Sequence, residues 1–107
     1  MNEQFGKLLE AEAFYYVKHL KIAYSTSEKG YIITIGFQVN ENKSSYRTLR
    51  FFNGDLEITR KMADDILKCH LRFHPKDLAL TSLWSLYLED FMRNPGKGVS
   101  LYRPESV

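Results

Sequence analysis

The sequence predicts an α+β domain in which an N-terminal helix, a three-stranded antiparallel meander and two C-terminal helices follow one another as α-β-β-β-α-α. Three patterns predict this order. Apolar residues recur at three- and four-residue steps near the N-terminus, alternate with polar residues between positions 31 and 39, and return to helical spacing after position 55. We therefore expect a single-layer sheet that is packed by helices.

The chain is 107 residues long, which suits one hydrophobic core. We expect a single compact α+β domain over residues 1–96. The segment 97–107 contains Val99, Leu101 and Tyr102, which could dock on the domain, whereas its last residues are mostly polar and include Pro104. We expect this C-terminal tail to be partly extended or frayed.

The first predicted element is a helix from Glu3 to about His19. Its apolar residues form one stripe at helical spacing: Phe5, Leu8, Leu9, Ala13, Tyr16, Val17 and Leu20. The run from Phe14 to Val17 is aromatic and β-branched, which favours an extended conformation instead. Whether the helix changes to a strand near Phe14 is therefore open on the sequence alone.

The predicted meander begins with a strand in which Leu20, Ile22 and Tyr24 alternate with polar or small residues. A turn at residues 28–30 leads to a second strand over residues 31–39. Its odd positions are all apolar, namely Tyr31, Ile33, Ile35, Phe37 and Val39. Such alternation is typical of a strand with one buried face and one open face. A third strand runs from Tyr46 to Phe52, and the short loops favour antiparallel neighbours.

Two helices are predicted after the sheet. Asp55 can cap a helix from Leu56 to about Arg72, whose apolar residues fill one arc. Pro75 suits the first turn of a further helix that ends before Asn94. The apolar arc of this last helix covers about 200°, wider than one packing neighbour requires. It consists of Leu80, Leu83, Trp84, Leu86, Tyr87, Leu88, Phe91 and Met92. We expect its second neighbour to be another layer, a twin subunit or a different protein.

Charge and cysteine content limit the class of protein. Fifteen basic and thirteen acidic residues give a net charge of +2, too little for the broad basic surface of a dedicated duplex binder. The first residues lack the basic start of a signal peptide, and no segment approaches the ~18 apolar residues of a membrane span. Cys69 is the one cysteine, which agrees with a reducing compartment. We therefore expect a cytoplasmic protein that does not associate with a membrane.

The histidines are the candidate residues for chemistry. His70 and His74 are four residues apart, a spacing that lets two imidazoles bind one metal ion from the same helical face. Cys69 projects about 100° away from His70 on a regular helix, and no third ligand stands at a recognisable spacing. We expect no metal site and no cofactor. His70 or His74 could instead serve a small hydrolase or nuclease, with His19 as partner, but no nucleophile motif accompanies them, so we expect no catalytic residues.

The face of the sheet opposite the predicted core carries an unusual set of side chains. If Leu49 and Phe51 point inward, then Tyr46, Arg50 and Phe52 point the other way. Tyrosine, phenylalanine and arginine are enriched where proteins bind proteins, and such a face could also stack unpaired bases. Residues 18–50 contain six basic residues and two acidic ones, which makes the meander the basic part of the chain. The alternative is that the last helix or the tail covers this face.

The order helix, three strands, helix is similar to that of the double-stranded RNA-binding domain over about residues 3 to 72. Arg60 and Lys61 resemble the basic helix start of that family. Asp55 and Glu57 depart from it, because they place negative charge at the helix N-terminus that phosphate would approach. The last predicted helix has no counterpart there. The resemblance therefore concerns element order, and no function is carried over.

Together these patterns favour a small non-enzymatic protein that binds another protein stoichiometrically, such as an immunity protein or an inhibitor that neutralises a bacterial toxin or another enzyme. The expected partner-binding residues are Tyr46, Arg50, Phe52, Trp84, Tyr87 and Phe91. The first alternative is binding of RNA or single-stranded DNA by the basic aromatic sheet face, and the second is the small histidine-dependent hydrolase or nuclease. A homodimer through the last helix is compatible with each of them.

Overall fold

A computed structural model describes residues 15–42 and 44–102 of the chain. In chain order the elements are β1 (Tyr16–Ser25), β2 (Gly30–Gln38), β3 (Tyr46–Asn53), α1 (Leu56–Phe73), α2 (Leu78–Arg93), a 3₁₀ turn (Pro95–Lys97) and β4 (Val99–Tyr102). The strands form one antiparallel sheet in the order β3-β2-β1-β4. The α+β class, with its antiparallel meander followed by two helices, is confirmed.

The predicted N-terminal helix is wrong where the structure describes it. Residues 3–14 lie outside the described ranges, and from Tyr16 onward the chain is strand β1. The pairing with β2 shifts register between Val17 and His19, which marks a β-bulge. As a result Val17 and Leu20, three residues apart, both face the core and are each 1% exposed. The bulge therefore produces the three-residue apolar spacing that the sequence pattern attributes to a helix.

The sheet has a fourth strand that the sequence does not predict. Residues 99–102, within the expected C-terminal tail, pair antiparallel with β1 from Ile22↔Val99 to His19↔Tyr102. Gly98 precedes this strand with a φ of 67°. A Cβ at that position would collide with the carbonyl oxygen of Ile22, so the chain can approach β1 this closely only with glycine there. Of the double-stranded RNA-binding order of elements, the described residues contain the three strands and the helix that follows them, to which α2 and β4 are added, whereas residues 3–14 of the expected first helix lie outside the described ranges.

Both helices begin at aspartate caps. The Asp55 carboxylate accepts a hydrogen bond from the Ile58 amide at 2.9 Å, and that of Asp77 accepts one from the Leu80 amide at 3.2 Å. The cap at Asp77 places the start of α2 at Leu78, three residues later than Pro75 suggests. Amide donors that would otherwise lack a partner are satisfied at both helix starts.

The two helices pack on the same side of the sheet and form one hydrophobic core with it. Its most deeply buried members are Val17, Leu20, Ile22, Ile33, Ile35, Phe37, Met62, Ala63, Ile66, Leu80, Trp84, Leu88 and Phe91. They alternate along β1 and β2 and follow helical spacing along α1 and α2. The opposite side of the sheet is therefore left to other contacts.

The broad apolar arc of α2 divides into a buried part and an exposed part. Trp84 and Phe91 are 1% and 0% exposed and lie in the core. Neither ring can reach a partner of the folded domain, which corrects the expectation that these two residues bind one. Tyr87 is half-buried at the margin of the core. Leu83 and Leu86 are exposed and belong to the part of the arc that faces away from the sheet.

Candidate functional site

The candidate site is the side of the sheet that faces away from the two helices, called here the open face. It is formed by His19, Lys21, Ala23, Ile32, Thr34, Tyr46, Thr48, Arg50 and Phe52. These residues lie side by side across the strands, since Thr34 pairs with Arg50 and Ile32 pairs with Phe52. No helix of residues 15–42 and 44–102 packs against this face. The alternation of β2 and β3 thus predicts the two faces of the sheet correctly.

Three of the predicted partner-binding residues lie on the open face and are accessible there. Tyr46 is 43% exposed, Phe52 is 46% exposed, and Arg50 is also exposed. All three belong to β3, whose core-facing residues Leu49 and Phe51 pack against the hydrophobic core. Their grouping on one surface follows from the two-residue repeat of the strand. That they contact a partner stays a prediction.

One end of the open face is a hydrogen-bonded pair of side chains. The Tyr46 hydroxyl lies 3.0 Å from Nδ1 of His19, although the two residues belong to β3 and β1. Between them lies Gly36 of β2, where a Cβ would collide with the Tyr46 hydroxyl and the His19 ring. Glycine therefore permits the two side chains to meet across the middle strand.

His19 is the residue of this pair that the sequence analysis does not place on the open face. Burial lowers the pKa of His19 below its usual value, because desolvation disfavours the charged imidazolium. A neutral ring can accept a hydrogen bond from the Tyr46 hydroxyl at Nδ1. The signal in the sequence is Gly36, an isolated glycine in an otherwise regular strand pattern, which indicates a close approach of other groups.

The other end of the open face is apolar, and its middle is cationic. A Cβ at Gly30 would collide with the Phe52 ring, so this ring rests directly on the glycine. The row between the two ends consists of Lys21, Thr34 and Arg50, which are paired across β1, β2 and β3. The face thus presents a phenol and an imidazole, then two cations, then a phenyl ring. β2 itself contributes no charged residue.

His70 has a structural position on the helix side of the sheet. Its Nδ1 accepts a hydrogen bond from the Val17 amide at 3.0 Å, and its Nε2 lies 2.9 Å from the carboxylate of Asp77. An amide N–H can only donate, so Nδ1 carries no proton and Nε2–H donates to Asp77. The residue is fully buried. Both ring nitrogens are therefore engaged in contacts that hold β1, α1 and α2 together.

His74 and Cys69 lie close to His70 near the end of α1. The His74 ring packs 4.9 Å from that of Tyr15, and its buried Nε2 has no hydrogen-bond partner among the described residues. Burial raises the pKa of the Cys69 thiol, which keeps it protonated. Within the part of the chain that the structure describes, no three histidine, cysteine or carboxylate side chains converge as metal ligands.

A shallow depression lies where β2 and α1 end. Its volume is about 570 Å³, and it is lined by Tyr15, Val39, Asn40, Glu41, Asn42 and Phe73. The lining contains no histidine or thiol, and its ionisable groups are one phenol and one carboxylate. It therefore has the character of an apolar contact surface with a polar margin.

Neither α1 nor α2 combines the length and the apolar character that crossing a membrane requires, and no other described helix does.

Comparisons with protein-family models, with curated proteins and with solved structures find no match for this chain. Function is therefore inferred from the open face itself.

Proposed function

We propose that this chain is a small non-enzymatic protein that binds a partner protein stoichiometrically through the open face. The observation that carries the proposal is the exposure of Tyr46, Arg50 and Phe52 together on one strand. Tyrosine and arginine are among the residue types enriched at the energetic centres of protein interfaces. The helices pack on the other side of the sheet, which holds these side chains on a fixed backbone and reduces the entropy lost on binding.

The charge of the open face indicates the chemistry of the partner. Lys21 and Arg50 lie in one row, and β2, the strand between them, contains no carboxylate. A partner with acidic groups opposite this row and apolar groups opposite Phe52 would be complementary. An immunity protein or inhibitor in the cytoplasm, bound to a toxin or another enzyme, is the kind of protein that fits this description.

The histidines support binding over catalysis. Both ring nitrogens of His70 are engaged in buried hydrogen bonds, so an acid–base role would break contacts between elements. The Cys69 thiol is buried with a raised pKa, which makes it a poor nucleophile. The small histidine-dependent hydrolase or nuclease is therefore the weaker proposal.

The test is affinity capture from the native host with four forms of the protein, followed by reconstitution with the purified partner. We expect the wild type to form a stoichiometric complex, and Arg50→Glu and Phe52→Ser to weaken it at least about tenfold, as expected for residues at the centre of an interface. Lys68→Glu is the matched control, because it makes the same charge change at an exposed position of α1. Equal binding by all four forms, or the absence of a stoichiometric partner, would contradict the proposal.

A second candidate function is binding of single-stranded nucleic acid, and the cationic row between two aromatic ends favours it. Successive bases would stack on Tyr46 and Phe52 while Lys21 and Arg50 contact phosphates. We expect fluorescence anisotropy with labelled RNA and single-stranded DNA oligonucleotides to show affinity that falls as salt rises. The absence of any rise in anisotropy for either oligonucleotide at low salt excludes this function.

A further inference from the structure

The outer edge of β3 is a long, regular strand edge. In the order β3-β2-β1-β4, β3 has a neighbour on one side only within the described ranges. It comprises eight residues, Tyr46–Asn53, with no proline, and its pairing with β2 shows no bulge. Edge strands of this kind usually carry devices that prevent pairing with another chain, such as prolines, bulges or covering loops. β3 itself has neither the proline nor the bulge.

The hydrogen-bond pattern identifies which backbone groups point outward. The Val39 amide donates to the Ser45 carbonyl at 3.0 Å, and the register of β2 and β3 continues without a shift from there. Residues of an antiparallel pair bond to their neighbour in alternation, so Arg47, Leu49 and Phe51 bond to β2. The backbone N–H and C=O groups of Tyr46, Thr48, Arg50 and Phe52 therefore point away from the sheet.

The same four residues place their side chains on the open face. A segment that pairs with this edge would meet the outward backbone of Thr48 and Arg50 and would lie beside the rings of Tyr46 and Phe52. One partner segment would thus contact the backbone edge and the margin of the open face together. This is the geometry of recognition by strand addition, in which the backbone supplies affinity and the side chains supply specificity.

The charge of β3 indicates the composition of the added strand. Arg47 pairs with Phe37 and lies on the helix side, whereas Arg50 lies on the open face. Both arginines are exposed, and β3 contains no acidic residue. Opposite charges in directly opposed cross-strand positions stabilise a pair of strands, and like charges destabilise it. Two copies of β3 side by side would bring four arginines into one ribbon, which disfavours self-pairing.

We propose that an extended acidic segment of the partner protein pairs with the outer edge of β3 as a fifth strand of the sheet. The proposal rests on the protein-binding function proposed above and specifies how the partner binds. Carboxylates on the two faces of the added strand meet Arg47 and Arg50, and its backbone bonds to Thr48 and Arg50. Its apolar residues on the open side contact Phe52.

The direct test uses synthetic peptides of the same length as β3, acetylated and amidated, that carry one glutamate on each face, opposite Arg47 and Arg50, and valine or threonine at the other positions. The control peptides carry lysine at every glutamate position. We expect the acidic peptides to bind at least about tenfold more tightly than the lysine peptides. Amide hydrogen exchange should slow at Thr48, Arg50 and Phe52 on binding, whereas Arg47, Leu49 and Phe51 are already protected in the free protein.

A proline substitution at Thr48 blocks backbone pairing at the edge and leaves Tyr46, Arg50 and Phe52 in place. Thr48→Pro deletes one outward N–H, and Thr48→Ala is its matched control because it keeps that N–H. We expect the proline variant to bind the acidic peptide at least about tenfold more weakly than the alanine variant. Should the proline variant fail to fold, peptides N-methylated at the positions that face β3 replace it, with peptides methylated on the other edge as controls.

The outcomes separate this proposal from the one on which it rests. If Arg50→Glu and Phe52→Ser abolish capture of the partner while Thr48→Pro and Thr48→Ala capture it equally, strand addition is wrong and binding through the open face stands. If peptide binding depends on Thr48→Pro while the open-face variants retain the partner, the open-face proposal is wrong. Equal binding of acidic and lysine peptides, or preference for an oligonucleotide over both, contradicts the proposal that an acidic segment pairs with β3.

Discussion

His70 connects three elements through the two nitrogens of one ring. Nδ1 accepts from the Val17 amide of β1, and Nε2–H donates to Asp77, whose other carboxylate oxygen caps α2. The bulge of β1, the end of α1 and the start of α2 thus meet at one buried side chain. Buried polar groups without a hydrogen-bond partner lower stability. Removal of the His70 ring therefore also affects the groups on β1 and α2 that bond to it.

We expect His70→Ala to lower the free energy of unfolding by about 2–4 kcal/mol, because it removes the acceptor of the buried Val17 amide, removes the imidazole donor of one Asp77 carboxylate oxygen and opens a cavity. Urea unfolding followed by circular dichroism measures the loss. His74→Ala is the control, since it lies near the same end of α1 and its buried Nε2 makes no hydrogen bond within the described residues. Similar losses in both variants would show that the hydrogen bonds of His70 contribute little.

His19 makes the stability of the fold depend on pH. Burial lowers its pKa in the folded protein, whereas the unfolded chain keeps the usual value of about 6.5. As pH falls below that value the unfolded state takes up the proton first, so stability present above about pH 6.5 is lost as pH falls through the folded pKa. We expect wild type to lose stability relative to His19→Gln as pH falls below about 6.5.

Two measurements check the behaviour of His19. The midpoint of its imidazole titration by NMR should lie below the usual value. The unfolding free energy of wild type minus that of His19→Gln should decrease on acidification. Tyr46→Phe keeps the ring but removes the hydroxyl that lies 3.0 Å from Nδ1. A difference that stays constant with pH would contradict the assignment.

At the scale of the elements, the sequence predicts those parts whose signals are local. The helix expected from Leu56 to about Arg72 is observed as Leu56–Phe73, because Asp55 caps it and its apolar residues form one arc. The alternation of residues 31–39 predicts β2 and its two faces. On the same principle, the repeat of β3 places Tyr46, Arg50 and Phe52 on one exposed surface.

The elements that the sequence predicts poorly are fixed by contacts distant along the chain. The bulge in β1 forms against β2. It gives the core-facing residues of this strand a three-residue spacing, which resembles that of a helix. β4 has four residues and exists through its pairing with β1, about eighty positions earlier in the chain. Trp84 and Phe91 share an apolar arc with Leu86, and only the positions of the sheet and α1 decide which of them is buried.

The pairing of β4 with β1 depends on Gly98. We expect Gly98→Ala to lower the free energy of unfolding by about 2 kcal/mol or more, because the position has a positive φ and a Cβ would collide with the Ile22 carbonyl oxygen. Amide exchange in residues 99–102 should accelerate in this variant. Gly96→Ala is the matched control, since a Cβ there meets nothing within 4 Å. Equal stability of the two variants would mean that β4 contributes little to the fold.

At the scale of the whole molecule, accessible apolar groups occur on two opposite sides. The open face carries Tyr46 and Phe52, whereas α2 exposes Leu83 and Leu86 on the side that faces away from the sheet. Leu83 and Leu86 are three residues apart and therefore adjacent on the helix surface. Because the two surfaces are separated by the core, occupation of one does not block the other.

Association of two copies through α2, with which the width of its apolar arc is compatible, is therefore testable independently of the partner. We expect sedimentation equilibrium to show a concentration-dependent dimer of the wild type, and Leu86→Glu to weaken this dimer at least about tenfold, because the interface would bury an unpaired carboxylate. Ser85→Glu is the control, since it adds the same charge at an exposed position outside the leucine pair. Partner capture should be unchanged in Leu86→Glu. A wild-type protein that stays monomeric at every concentration would contradict self-association and leave the open face as the surface on which a partner protein binds.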